Sequence, residues 1–431
     1  KAQAAKDYFL LIGPPGTGKT SRALRGMVEA FYREGKQILL LSYTNRAVDE
    51  ICKTLSVITP EIDFIRIGSE LSCDPPFRSR LIENVLEACS TRREVHACIE
   101  GCRVFVGTVA TFSSKTDMFR LKTFDVAIVD EATQILEPQL LGLLCARDVA
   151  GNNAIGKFIL IGDHKQLPAV VLQSESQSEV CEECLQSIGL YNLKDSLFER
   201  LYRTVSANHS SSTTQRFYDM LCRQGRMNVE VARFPNHAFY GGLLEAVGLP
   251  HQQGELVLAP GLESDEFADV LVSRVAFLPS VPEFPSQSAK INHSEAQLTA
   301  RLAAAVYRQY EASGSGFHSA LTLGVITPYR SQIALIKREI AALGIPVLND
   351  ILVDTVERFQ GSERDVIIYS FCVNRTYQLK FLANLTEEKG VWIDRKLNVA
   401  LTRARKQLFM TGVPHLLRQN PIYADLLDTV L

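Results

Sequence analysis

The sequence contains no apolar run approaching the roughly 20 residues a bilayer-spanning helix needs, so no such helix is expected, and no membrane partner. No charged-then-apolar stretch opens it, so no secretory leader is expected either. Neither sign of charge dominates: 46 Lys and Arg stand against 48 Asp and Glu, for a formal net charge of −2. A nearly neutral chain does not advertise a polyanionic partner, although a groove needs only local positive charge. Internal repeats and low-complexity tracts are missing. The 10 cysteines are scattered, which suits reduced thiols inside a cell, in nucleus or cytoplasm, better than a disulfide frame. Cys181 and Cys184 have zinc-ligand spacing, and Cys98 and Cys102 would have to supply the other half. Neither a histidine pair nor a second C-x-x-C supports that site. At 46% hydrophobic and 22% charged residues, a globular protein is expected, and 431 residues allow two or three domains.

What is present begins with "LLIGPPGTGKTS", residues 10–21. Gly13, Gly18, Lys19 and Thr20 stand at Walker A spacing, in which backbone N–H groups wrap the β-phosphate, lysine reaches the β- and γ-phosphates, and the hydroxyl binds magnesium. A glycine-proline turn can imitate that pattern, so the flanks decide. Tyr8 to Ile12 is continuously apolar, as a buried parallel strand must be. Ala23, Leu24, Met27 and Val28 recur at helical spacing. Strand, glycine loop and helix together aim a helix N-terminus at an anion, so Gly13, Pro14, Pro15, Gly16, Thr17, Gly18, Lys19, Thr20 and Ser21 are assigned to the phosphates of a nucleotide.

Strands alternating with helices run through both halves, which predicts parallel α/β sheets. The first series is Ile38 to Ser42, Phe64 to Ile67, Val104 to Gly107, Val126 to Asp130 and Phe158 to Gly162. Residues 69–101 read as a small helical insertion, and residues 173–190 as a polar loop. The second series is Val272 to Phe277, Leu323 to Thr327, Ile351 to Thr355, Val366 to Ser370 and Gln407 to Thr411. Two α/β domains are expected, residues 1–180 and residues 191–431. The chain opens one strand before the nucleotide loop, which leads to the expectation that it is part of a longer protein.

Walker A hydrolysis also needs a carboxylate for magnesium and a base for water. Asp130 and Glu131 follow the apolar strand Val126 to Val129, at the edge where open α/β sheets bind ligands. An acidic pair after a strand is also a common helix N-cap. The next strand leads into Gly162-Asp163-His164-Lys165-Gln166, putting Gln166 beside the same edge to sense the γ-phosphate.

In that order, GPPGTGKT, VDEA and GDHKQLP resemble motifs I, II and III of the superfamily I helicases. SYTNRAVDEI, GTVAT, QGRMN, GVITPYRSQ, VDTVERFQGSERDVII and LNVALTRAR continue the resemblance over nearly the whole chain. The wording is nearest the branch that holds the RNA-surveillance helicase and the flap-trimming replication nuclease-helicase, and within it nearer the latter. The resemblance implies two tandem RecA-like P-loop NTPase domains that use ATP and Mg²⁺ and step 5′→3′ along single-stranded nucleic acid, DNA more than RNA. It gives Lys19 and Thr20 to phosphate and magnesium, Asp130 to magnesium, and Glu131 to the attacking water. Gln166, Arg226 and Arg403 would contact the γ-phosphate, and Glu363 the nucleotide's sugar. Thr44, Asn45, Thr108, Thr111, Pro328, Tyr329 and Thr355 would line the strand's track, although each alone reads as an ordinary cap or turn residue.

The sequence departs from the family at two points. Motif IV usually reads QYR, its tyrosine packing on adenine, whereas this chain has Gln224-Gly225-Arg226. The adenine-reading glutamine expected upstream of Walker A is not identifiable. Any β-barrel, nuclease or partner-binding region would lie upstream of Lys1. A nucleotide-dependent switch or remodelling ATPase that never translocates is the competing expectation.

Overall fold

A computed structural model describes residues 1–207, 217–283, 290–388 and 390–430. By its contacts the chain divides into two units, one of Lys1–His164 with Pro168–Leu221, the other of Lys165–Leu167 with Cys222–Leu431.

The first unit is a seven-stranded sheet in the order β3-β4-β2-β5-β6-β1-β7. Its strands are β1 (Tyr8–Ile12), β2 (Ile38–Ser42), β3 (Ile65–Ile67), β4 (Val104–Thr108), β5 (Val126–Val129), β6 (Phe158–Gly162) and β7 (Tyr218–Met220). All neighbours run parallel. A parallel sheet is covered on both faces, which is why its strands read as unbroken apolar runs. In β2, Ile38 and Leu40 pack with Val28 and Phe31 of α1 (Arg25–Arg33) and Val48, Ile51 and Leu55 of α2 (Asn45–Ser56). Leu39 and Leu41 face the opposite core of Phe105, Phe112 and Phe119. Short helical segments lie between β3 and β4, from Glu70–Ser72 through Arg92–Gly101.

The unit boundary falls later than the residue 191 expected from sequence. Leu197, Phe198 and Val205 join the first core, and β7 adds to β1 with Leu10 opposite Tyr218. Cys181 and Cys184 are exposed. Among the described residues they join no group of three or more side chains placed to hold a metal ion. No described helix is long and apolar enough to cross a membrane.

In the second unit β8 (Arg223–Gln224) pairs with β9 (Glu245–Ala246), beside a five-stranded sheet. That sheet orders β10 (Val275–Pro279), β16 (Ala404–Gly412), β13 (Arg364–Ser370), β11 (Leu323–Ile326) and β12 (Leu352–Asp354), all parallel. The hairpin β14 (Leu385–Glu388) and β15 (Val391–Asp394) stands apart from it. Val366 and Ile368 of β13 pack towards α3 (His293–Ala312) and α4 (Arg330–Ala342), while Ile367 and Tyr369 face the other core. The expected architecture, parallel α/β sheets in tandem, is what the chain forms.

One buried carboxylate ties this sheet's C-terminal edge together. Glu295 of α3 has no exposed surface. It accepts hydrogen bonds from the Ser370 hydroxyl at 2.8 Å, the Cys372 N–H at 2.8 Å, and the Ser280 and Thr411 hydroxyls at 3.3 Å. Burial outweighs those donors and pushes its carboxyl up to about 7. A folded-state value above the unfolded one, near 4.3, means the folded protein holds the proton longer. Stability is therefore greatest below the unfolded value and declines as pH rises towards 7, by at most about 4 kcal/mol. Glu295→Gln is expected to shrink the fall in melting midpoint between pH 5 and pH 8. An unchanged fall would show that Glu295 does not titrate there.

Candidate nucleotide-binding site

β1 ends at Ile12, and the Gly13 N–H donates to the Gly162 carbonyl at 2.9 Å, anchoring the loop to β6. The loop then turns through left-handed residues, Gly16 at φ 73° and Gly18 at φ 76°, which a side chain would strain. Thr17 closes it by donating its hydroxyl to the Pro14 carbonyl at 2.8 Å. Lys19–Leu24 wind as a wide π-type turn ahead of α1. A Cβ added at Gly13 would overlap the Lys19 methylenes, so glycine there is what lets the lysine fold back over the loop.

β6 lies between β1 and β5 in the sheet, yet the side chains beyond β1 and β5 meet. Thr20 donates its hydroxyl to Asp130 Oδ2 at 2.6 Å, and Lys19 Nζ stands 3.9 Å from Glu131 Oε1. The Asp130 N–H bonds the Leu41 carbonyl at 2.8 Å, which fixes the carboxylate at the sheet edge. Burial, then the neighbouring Glu131 charge, pushes the Asp130 carboxyl up to about 6, against the pull of Thr20 and Lys19. Glu131 is held at φ 55°, a left-handed conformation costing a non-glycine residue about 1 kcal/mol or more. It stands at the N-cap position of the short helical turn Ala132–Gln134 but makes no side-chain cap bond to it; its side chain accepts from the Gln134 amide at 3.1 Å instead. A hydroxyl and a carboxylate at 2.6 Å, with a lysine alongside, suit a phosphate-bound divalent cation.

Residues 165–167 pack into the second unit, where Gln166 Oε1 accepts from Arg403 at 3.1 Å. Lys165 anchors the segment by donating to the Phe239 carbonyl at 2.9 Å, and Leu167 enters that unit's core. Arg403, only 2% exposed, also donates to the carbonyls of Val399 at 3.1 Å and Ser362 at 3.4 Å. Arg226 pairs with Glu363 at 2.6 Å and donates to the Thr402 carbonyl at 3.3 Å. Gln166 and Arg403 thus form one group, and Arg226 and Glu363 another.

Sequence reasoning passed over Arg405, which stands 3.5 Å from Glu363 and 3.3 Å from Asp365. The signal was there: two residues after Arg403 and inside a strand, it repeats the alternation of LTRAR.

Of the residues assigned to a nucleic-acid track, Thr44 and Thr108 act as N-caps. They accept from Ala47 N–H at 3.2 Å and Thr111 N–H at 3.1 Å. Asn45 opens α2. Pro328 and Tyr329 follow β11, and Thr355 follows β12, so all three lie at the C-terminal edge of the second sheet.

Comparison with known proteins gives this geometry relatives. An AAA domain model matches residues 193–415, and another AAA domain model matches residues 1–93 and 79–174. The DNA replication ATP-dependent helicase/nuclease DNA2 of Xenopus laevis is 32% identical over 435 residues, covering 96% of this chain and 36% of that protein. The corresponding JHS1 protein of Arabidopsis thaliana is 29% identical, covering 100% of this chain and 29% of its own length. This chain thus spans about a third of the curated relatives it matches. An arterivirus nonstructural protein 10 helicase structure aligns at 14% identity over 95% of this chain and 60% of that chain, with a TM-score of 0.43, too weak a likeness to build on. The relatives belong to the branch that the motifs pointed to. With an AAA domain model matching residues 193–415 of 431, the chain belongs to the AAA domain family.

Proposed function

We propose that this chain is an ATP-driven helicase motor that moves along single-stranded nucleic acid, DNA in preference to RNA, in the 5′→3′ sense. The observation that carries the reading is the 2.6 Å bond from Thr20 to Asp130, with Lys19 beside Glu131, at the ends of β1 and β5. Gly13 to Ser21 hold the phosphates of ATP, and Thr20 and Asp130 hold magnesium. Bound magnesium would supply charge neutralisation across the β- and γ-phosphate oxygens. Glu131 orients the attacking water. Arg226, Arg403 and Gln166 meet the γ-phosphate, and Glu363 the sugar. Thr44, Asn45, Thr108 and Thr111 in the first unit, and Pro328, Tyr329 and Thr355 in the second, hold the strand. The preference for DNA draws on the relatives' names, and the polarity on the motif resemblance.

ATP turnover measured side by side with single-stranded DNA, single-stranded RNA and duplex tests this. Many-fold stimulation by single strands, greatest with DNA, is expected. Rates indifferent to any nucleic acid would establish a non-translocating switch ATPase instead.

The missing motif IV tyrosine gives a smaller prediction. A Cβ at Gly225 would touch Leu249 and Val247 at 3.4 Å, ordinary contact, and the residue is not among those with positive φ. Gly225→Tyr is expected to tighten ATP by roughly 1 kcal/mol, the size of an aromatic stacking contribution. Unchanged or weaker ATP affinity by calorimetry would show that adenine is already packed elsewhere.

A further inference from the structure

The second sheet's edge continues past the residues assigned to the track. In sheet order β12, β11 and β13 are neighbours, so Thr355, then Pro328 and Tyr329, then the segment leaving β13 come in succession along one edge. That last segment reads Arg375-Thr376-Tyr377-Gln378-Leu379-Lys380-Phe381, and no acidic residue occurs from Arg375 through Thr386. Gln378 and Leu379 are buried, while Arg375, Tyr377, Lys380 and Phe381 face solvent. Tyr377 is 50% exposed and Phe381 64%, and their rings meet edge to face at 6.4 Å.

The platform is tied in place by hydrogen bonds. Gln378 Oε1 accepts from the N–H groups of Asn374 and Arg375 at 2.9 Å, locking the turn. Its amide nitrogen donates to the Tyr329 hydroxyl at 3.4 Å, which joins the segment to the assigned track. Upstream, Glu295 pins the Cys372 N–H at 2.8 Å, holding that residue at φ 49°.

We propose that Arg375, Tyr377, Lys380 and Phe381 form a stacking ledge for a single nucleic-acid strand, on which bases lie against Tyr377 and Phe381 while Lys380 and Arg375 meet the phosphates. Cations interleaved with exposed rings fit a polyanion with π-faces, the combination by which single strands are held without sequence preference. Arg375 and Lys380 thus put positive charge locally beside the rings, where a strand would lie. The ledge deepens the helicase reading and rests on it.

The test uses fluorescence anisotropy with a labelled single-stranded DNA oligonucleotide and the same oligonucleotide carrying a run of abasic positions. Wild type is expected to prefer the intact strand by about tenfold or more, the scale of base–aromatic stacking. The double variant Tyr377→Ala, Phe381→Ala is expected to lose most of that preference, and Tyr377→Phe to keep it. Lys380→Gln is expected to weaken both oligonucleotides alike and flatten the salt dependence. Both rings are largely solvated, so melting midpoints are expected to match wild type. A folded double variant that retains the full preference overturns the ledge. A wild type that binds no single strand at all instead overturns the helicase reading beneath it.

Discussion

Lys19→Ala is expected to abolish ATP turnover and weaken ATP binding while leaving the fold intact. The ammonium is the one side-chain cation of the loop folded back over Gly13, and it stands 3.9 Å from Glu131. Charge-assisted contacts to phosphate are among the stronger hydrogen bonds, and losing one donor at a developing charge costs on the order of a hundredfold to a thousandfold in rate. A second consequence follows from the carboxylates. Lys19 is one of the groups holding the Asp130 carboxyl down, against burial and the Glu131 charge. Its removal leaves Asp130 more readily protonated and a poorer partner for a cation. The loop's backbone hangs on Gly13 to Gly162 and Thr17 to Pro14 bonds that the substitution does not touch, so folding is spared. Circular dichroism and nucleotide-binding calorimetry, read together with turnover, check the outcome. A soluble variant with normal ATPase would remove the phosphate-loop assignment altogether.

The conformation of the glycine loop was legible because its determinants are local. β1, the glycine loop and α1 are contiguous, and the left-handed turns at Gly16 and Gly18 are written into the residue types. The strands were legible too, since burial on both faces leaves runs such as Ile38-Leu39-Leu40-Leu41 with no alternative. What the sequence hides is partnership at long range. Nothing in Tyr218-Asp219-Met220 announces a strand, and it becomes one only because β1 has an open edge beside it. The hairpin Leu385–Glu388 with Val391–Asp394 escaped for the opposite reason. It stands outside both large sheets, with Leu385, Val391 and Trp392 exposed, so no buried face stamps a clear alternation on it. Gln166 reads as part of the first sheet's edge because it follows β6 by four residues, whereas Leu167 draws its segment into the other core. Glu363 likewise reads as a sugar contact from its motif. Its ion pairs with Arg226 and Arg405 span more than 40 residues or more than 130, beyond any local pattern.

Arg403→Ala, and separately Arg226→Ala, is expected to lower kcat at least about a hundredfold while ATP still binds. During transfer to water, negative charge spreads over the γ-phosphoryl oxygens and the leaving bridge. In the proposed reaction Lys19 and a cation held by Thr20 and Asp130 would meet the phosphates in the ground state as well, so their contribution would be partly uniform binding. The two guanidiniums belong to the other unit, and a contact made only as charge develops would favour the transition state. The competing account is structural. The Arg226–Glu363 pair at 2.6 Å has a carboxylate 43% exposed, so solvent screening keeps it within the roughly 0–1 kcal/mol of surface pairs. Arg403 differs, because its bonds to Gln166 and Val399 are buried and its bond to Ser362 partly so. Truncation strands those acceptors, so Arg403→Ala is expected to lower the melting midpoint and Arg226→Ala to leave it nearly unchanged. Turnover is therefore measured below both midpoints, with saturating single-stranded DNA and ATP. A purely structural arginine loses stability there but not kcat. A variant of either residue that keeps more than about a third of the wild-type kcat would place that guanidinium away from the γ-phosphoryl group.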